Sequence, residues 1–85
     1  MNIQLEAYVA QKNSWNAIFG GTPLDINSAE DRVKIADMID CDLSPENLAC
    51  DGEASPQHVR TQGRMLRDCA RQLLAIDSTV TIYEL

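Results

Sequence analysis

Apolar and polar residues alternate over positions 2–9, NIQLEAYV: Ile3, Leu5, Ala7 and Val9 fall on one side, Asn2, Gln4, Glu6 and Tyr8 on the other. A period of two belongs to a half-buried strand, and it predicts one here. A helix is the rival, because Gln, Leu, Glu and Ala are good helix formers. On a helical wheel, however, the apolar residues of 3–19 scatter around the circumference, which favours the strand. A short helix is expected over 14–19, SWNAIF, with Trp15 and Phe19 four apart on one face and Gly20-Gly21 as its stop.

Thr22 to Asn27 reads as a connection. Ser28 then opens a helix, since SAED sets Asp31 three residues after a capping serine and Glu30 also suits the positive end. Val33, Ile35, Ala36, Met38 and Ile39 give it an apolar side as far as about Asp40. Ser44-Pro45-Glu46 repeats the start signal and predicts a short helix through Cys50, with Gly52 as the stop. Ser55-Pro56 opens the longest element, expected over 56–76. There Val59, Leu66 and Leu73 recur every seven residues, Gln62, Cys69 and Ile76 follow three later, and Gly63 and Ala70 widen the seam. The tail TVTIYEL, β-branched and aromatic, reads as a strand that would pair with the one at 2–9. The pattern therefore predicts a single α+β domain over residues 1–85. A small sheet from the N- and C-terminal strands would pack against two main helices and one or two short ones.

Composition sets limits on this picture. Eighty-five residues bury only ~60–65% of their unfolded surface, so no deep enclosed pocket is expected. Hydrophobic residues make up 45% of the chain without low-complexity runs, which predicts a packed globule. The start, MNIQLEAYV, lacks a basic region followed by an apolar one, and no apolar stretch approaches the ~18–20 residues that span a bilayer. Three cysteines, an odd set, fit thiols in a reducing cytoplasm.

Charge changes the picture more by its distribution than by its sum. The net −6 disfavours direct nucleic-acid binding and attraction to anionic membrane. Residues 25–53 hold nine acids against Arg32 and Lys34, whereas residues 54–77 hold four arginines against Asp68 and Asp77.

The densest candidate for chemistry is DCDLSPENLACDGE, residues 40–53. As a calcium loop it would need a turning glycine at its sixth position, where Pro45 stands. A Cys₃His zinc set of Cys41, Cys50, Cys69 and His58 lacks the close ligand pairs of structural sites. Cys41 and Cys50 are flanked by acids that would raise their pKa, against a reactive thiolate. His58 falls in the first turn of the long helix with no nucleophile or carboxylate partner evident from sequence, and reads as a helix-start residue. No phosphate loop, dinucleotide glycine pattern, serine elbow or zinc-protease motif is present. The stretch reads as two helix boundaries carrying solvated acids; no metal, cofactor or catalytic residue is assigned.

Arg60, Arg64, Arg67 and Arg71, spaced four, three and four, form one line along the long helix. The line reads as a solvated border, as a partner for the acidic segment Asp37, Asp40, Asp42, Glu46, Asp51 and Glu53, or as a ridge tracking phosphates. The expected function is a non-enzymatic cytoplasmic protein-interaction module using these charged helix surfaces, its partner another protein. The heptad spacing of 59–76 suits a homodimer and a packed monomer equally. The alternative is an acidic nucleic-acid mimic inhibiting a DNA- or RNA-binding enzyme, which needs carboxylates in a row on one face. A metal or redox protein is the third class.

Overall fold

The computed structural model describes residues 2–49 and 56–85. Four helices make up the architecture: α1 (Ile3–Ile18), α2 (Ala29–Leu43), α3 (Pro45–Ala49) and α4 (Pro56–Ile76). No strand occurs among the described residues, so the expected α+β fold is corrected to an all-helical one. Helix α4 is the hub, with α1, α2 and α3 each packed against it.

The correction falls on the two chain ends. Residues 3–18 form one continuous helix that absorbs both the predicted strand at 2–9 and the predicted short helix at 14–19. Its buried residues are Leu5, Tyr8 and Val9, a three-and-four spacing, whereas Ile3 and Ala7 of the apparent strand face are exposed. Tyr8, on the polar side of the alternation, belongs to the core. With no strand at the start, the tail has no edge to pair with. It runs on irregularly instead, burying Val80 and packing Ile82 against the core. Its amides find side-chain partners: Thr79 N donates to Asp77 Oδ1, and Glu84 N donates to Asp40 Oδ1 at 2.9 Å.

The start of α1 is tied down from a distance. Asn2 is the N-cap residue but its side chain makes no capping hydrogen bond. The amide of Leu5, three residues on, donates instead to Gln72 Oε1 of α4 at 3.0 Å. Gln72 Nε2 also donates to Gln4. The end of α1 follows its glycines: Gly20 takes φ +76°, Gly20 N donates to Ala17 O and Gly21 N to Asn16 O, a Schellman closure.

The start signals of the other helices match the structure. Ser28 Oγ accepts from Asp31 N at 3.4 Å, while Asp31 Oδ2 accepts from Asp25 N at 2.8 Å, so the α2 entry is held from both sides. Helix α2 runs to Leu43, one turn beyond the expected end near Asp40, and this last turn delivers Leu43 to the core. Helix α4 spans the predicted 56–76. The core joins Leu5, Tyr8 and Val9 of α1 to Ile35, Ala36, Ile39 and Leu43 of α2 and to Leu66, Cys69, Ala70 and Leu73 of α4. One ion pair secures the far end: Arg32 Nε lies 2.8 Å from Asp77 Oδ2 while its Nη1 donates to Ile26 O, binding α2, the 24–27 connection and the end of α4 together.

Two outcomes test this core. Ile39 is fully buried, so Ile39→Ala should cost about 2–5 kcal/mol by urea unfolding, whereas Val33→Ala, on an exposed residue, should stay within about 0.5 kcal/mol. Asp77 accepts from Thr79 and Arg32, which hold its carboxyl at about 2, below its ordinary 3.8. The unfolded chain takes up this proton first, so the contribution is present above about pH 4 and is lost as pH falls towards 2. Asp77→Asn should lower the urea midpoint at neutral pH and flatten its decline between pH 4 and 2; an unchanged decline would remove Asp77 from the acid response.

Candidate functional site

Helix α1 outruns the core. Trp15 stands seven residues past Tyr8, two turns on and on the same side of the helix, yet Tyr8 is 6% exposed and Trp15 63%. Ile18 and Phe19 are exposed to a similar degree. The Phe19 ring meets Trp15 edge-on, with centroids 5.7 Å apart, so the aromatics form one unit. Opposite them, Met65 of α4 is exposed. Between these walls lies an open groove of about 760 Å³, bounded by α1, α3 and the first half of α4. Trp15, Ile18, Met65, Leu48 and Leu66 give it apolar lining, and Gln11, Ser14, Asn47, His58 and Gln62 give it polar lining.

The inner end of the groove is closed by a compact polar cluster. Tyr8 Oη donates to Asp42 Oδ2 at 2.5 Å, and Lys12 Nζ lies 3.0 Å from the same oxygen. The ammonium also sits 5.4 Å from the centre of the Tyr8 ring. Burial first, then the hydrogen bond to Asp42 and its charge, push the Tyr8 phenol well above its ordinary pKa, so it remains a donor. The cluster joins α1 to the end of α2 and leaves this end of the groove without net charge. On the other flank of α1, Asn13 holds the connection by donating to Leu24 O and accepting from Leu24 N.

The residues singled out by sequence are distributed, not gathered. Arg60, Arg64, Arg67 and Arg71 are exposed along α4. At ~100° per residue they border the buried seam on one side, and His58, Gln62 and Met65 border it on the other, so the arginines face away from the groove. Among the described residues none of the four reaches a carboxylate of the acidic segment; Arg71 pairs with Asp68 on its own helix at 3.1 Å. Arg67 folds back over Gly63, where an added Cβ would lie 3.3 Å from its Nη2. Of the acids, Asp37 and Glu46 are exposed, Asp40 holds the tail, and Asp42 holds Tyr8 and Lys12. Asp51 and Glu53 lie outside the described residues, as does Cys50.

The thiols and the histidine do not converge in the described part of the chain. Cys69 is fully buried on the seam, and burial, with Asp68 nearby, pushes its thiol up to about 11. Cys41 is exposed and accepts from Asn47 Nδ2 at 3.3 Å. Among the described residues no three of His, Cys, Asp and Glu gather as a metal-binding set. None of the described helices is long and apolar enough to cross a membrane. Sequence reasoning paired Trp15 with Phe19 but missed the groove that Trp15 lines. The available signal was the seven-residue step from Tyr8 to Trp15, which sets both on one side of a continuous helix.

Comparison with protein-family models, with curated proteins and with solved structures finds no match for this chain.

The contact between Arg67 and Gly63 generates a stability test of the ridge. The crowding atom is the free end of a flexible side chain, so Gly63→Ala should displace the guanidinium and stabilise α4 by about 0.5–1 kcal/mol. A loss of stability on urea unfolding would instead show that Arg67 is held over the glycine.

Proposed function

We propose that the chain is a non-enzymatic protein-interaction module working in the cytoplasm, and that the groove between α1, α3 and α4 is its working surface. One observation carries this reading: Trp15, Ile18 and Phe19, 63–73% exposed, project together beside an open groove whose other wall is Met65. Isolated exposed apolar residues are ordinary, but a contiguous patch with two aromatics, rimmed by polar side chains, has the composition of a binding site. Tryptophan anchors contribute heavily to interfaces, and methionine adapts its shape to what it meets. The arginine line expected from sequence to form the binding surface faces away from this groove. Asp40 and Asp42 are engaged within the fold, which leaves Asp37 and Glu46 as the exposed carboxylates among the described members of the acidic segment. That is a short row for a mimic of nucleic acid, so the groove reading is preferred.

The experiment is comparative affinity capture from the native host. The groove variant Trp15→Ala with Ile18→Gln changes exposed side chains and should retain helical circular dichroism. It should lose the captured partner, whereas Arg64→Glu with Arg67→Glu should keep it. A partner kept by the groove variant and lost by the arginine variant would return the function to the ridge.

A further inference from the structure

Two rows of charge lie outside the groove, on the outer sides of α2 and α4. On α2, Glu30, Lys34 and Asp37 are spaced four and three and are all exposed. On α4, Arg64, Asp68 and Arg71 repeat that spacing, with both arginines exposed and Asp68 half-buried beside Arg71. At ~100° per residue each row stands about half a turn from residues that its helix buries, Ile39 and Leu43 on α2 and Leu66 and Leu73 on α4. Those buried sides meet in one core, so the two rows are turned outward. Among the described residues no ion pair joins them within the chain.

The rows are complementary member by member. Helix α2 carries minus, plus, minus, and α4 carries plus, minus, plus. At about 1.5 Å per residue, the later members of both rows fall about 6 and 10.5 Å along the axis from the first. Cys41 and Ala75, the next members, are small and exposed. Glu30, Asp37 and Arg64 have no ion pair among the described residues. Lys34 and Arg71 meet Asp31 and Asp68 three residues away, in exposed pairs that a facing charge can share. We propose that the α4 row docks on the α2 row of a second copy of this chain, with Arg64 against Glu30, Asp68 against Lys34 and Arg71 against Asp37. The spacings coincide when both rows are read in chain order, which sets the two helices parallel. A run of phosphates would meet Asp68 as a like charge, whereas α2 supplies a cation at that level. The two rows are different surfaces, so the contact is heterologous: every added copy leaves one row of each kind free, and assembly continues past the dimer. Exposed ion pairs are individually weak and copies of net charge −6 repel, so the association belongs to high protein concentration. Neither row lines the groove, so this contact and the groove are independent surfaces.

Sedimentation of the whole chain over a rising concentration series tests this. The weight-average mass should climb beyond that of a dimer. Asp37→Arg and Arg71→Glu, each on an exposed side chain, should retain helical circular dichroism and self-associate at least about tenfold more weakly. Mixed together, the two variants should assemble again. The altered α2 row of one then faces the altered α4 row of the other with opposite sign, and the unaltered rows still match. Glu30→Arg and Arg64→Glu, mixed in the same way, make the exchange at another level and serve if either first variant unfolds. A mass that stays that of the monomer, or stops at a dimer, would overturn the inference. So would variants that assemble like the parent, or folded variants whose mixture stays apart. Loss of assembly in Trp15→Ala would move the contact to the groove and overturn it as well.

Discussion

The docking of α1 against α4 governs the rest of the molecule, and it is made by the first half of α1 only. Leu5, Tyr8 and Val9 enter the core, and Gln72 supplies the hydrogen bond that the first turn lacks from its own cap. Beyond Val9 the same stripe turns polar at Lys12, Asn13 and Asn16. Lys12 reaches Asp42 and Asn13 reaches Leu24, so the helix is still fastened, but by polar contacts at its flanks. The last turns are thus held in place without being covered. A helix fixed at its base with bare apolar residues at its end makes one wall of a groove, and α4 supplies the other.

That division explains why the N-terminal pattern misled. The test against a helix was that apolar residues of 3–19 do not share one face. They do not, because Ile3, Ala7, Ala10 and Ala17 lie exposed, off the side that carries Leu5, Tyr8 and Val9 into the core. A wheel analysis assumes that one stripe holds all the apolar residues, and it fails where others stay exposed. Alternation over eight residues then looked like a strand, although helix formers filled the positions. The tail misled in turn, since Val80 and Ile82 pack against a helical core as readily as they would pair in a sheet once no edge is offered.

The central helices were legible because their signals are local and agree with one another. Ser28, Pro45 and Pro56 start helices where capping physics places them, and Gly20 ends one. The middle of the α4 seam was legible from its seven-residue spacing, since Gly63, Leu66, Cys69, Ala70 and Leu73 are buried, whereas Val59 and Gln62 are half-buried and Ile76 is exposed. What sequence could not supply was the pairing of polar groups across long separations. Nothing local tells that Gln72 caps α1, that Arg32 holds Asp77, or that Asp42 is taken by Tyr8 and Lys12. Composition counted the acids as one segment, whereas the fold engages Asp40 with the tail and Asp42 with Tyr8 and Lys12, and leaves Asp37 and Glu46 exposed.

Core and groove share α1 but divide its residues, and this bears on how the two can vary. The exposed Trp15, Ile18 and Phe19 have little contact surface to contribute to folding, since hydrophobic stabilisation scales with area removed from water. Their exposure instead leaves that gain to be realised when something covers them. Tyr8 is the residue that belongs to both, with its ring in the core and its hydroxyl beside the groove. Through its hydrogen bond to Asp42 it fixes α1 to the end of α2, and α3 follows Asp42 within three residues to form the groove's third side. The Tyr8–Asp42–Lys12 cluster therefore ties the wall of the groove to the core at the groove's inner end.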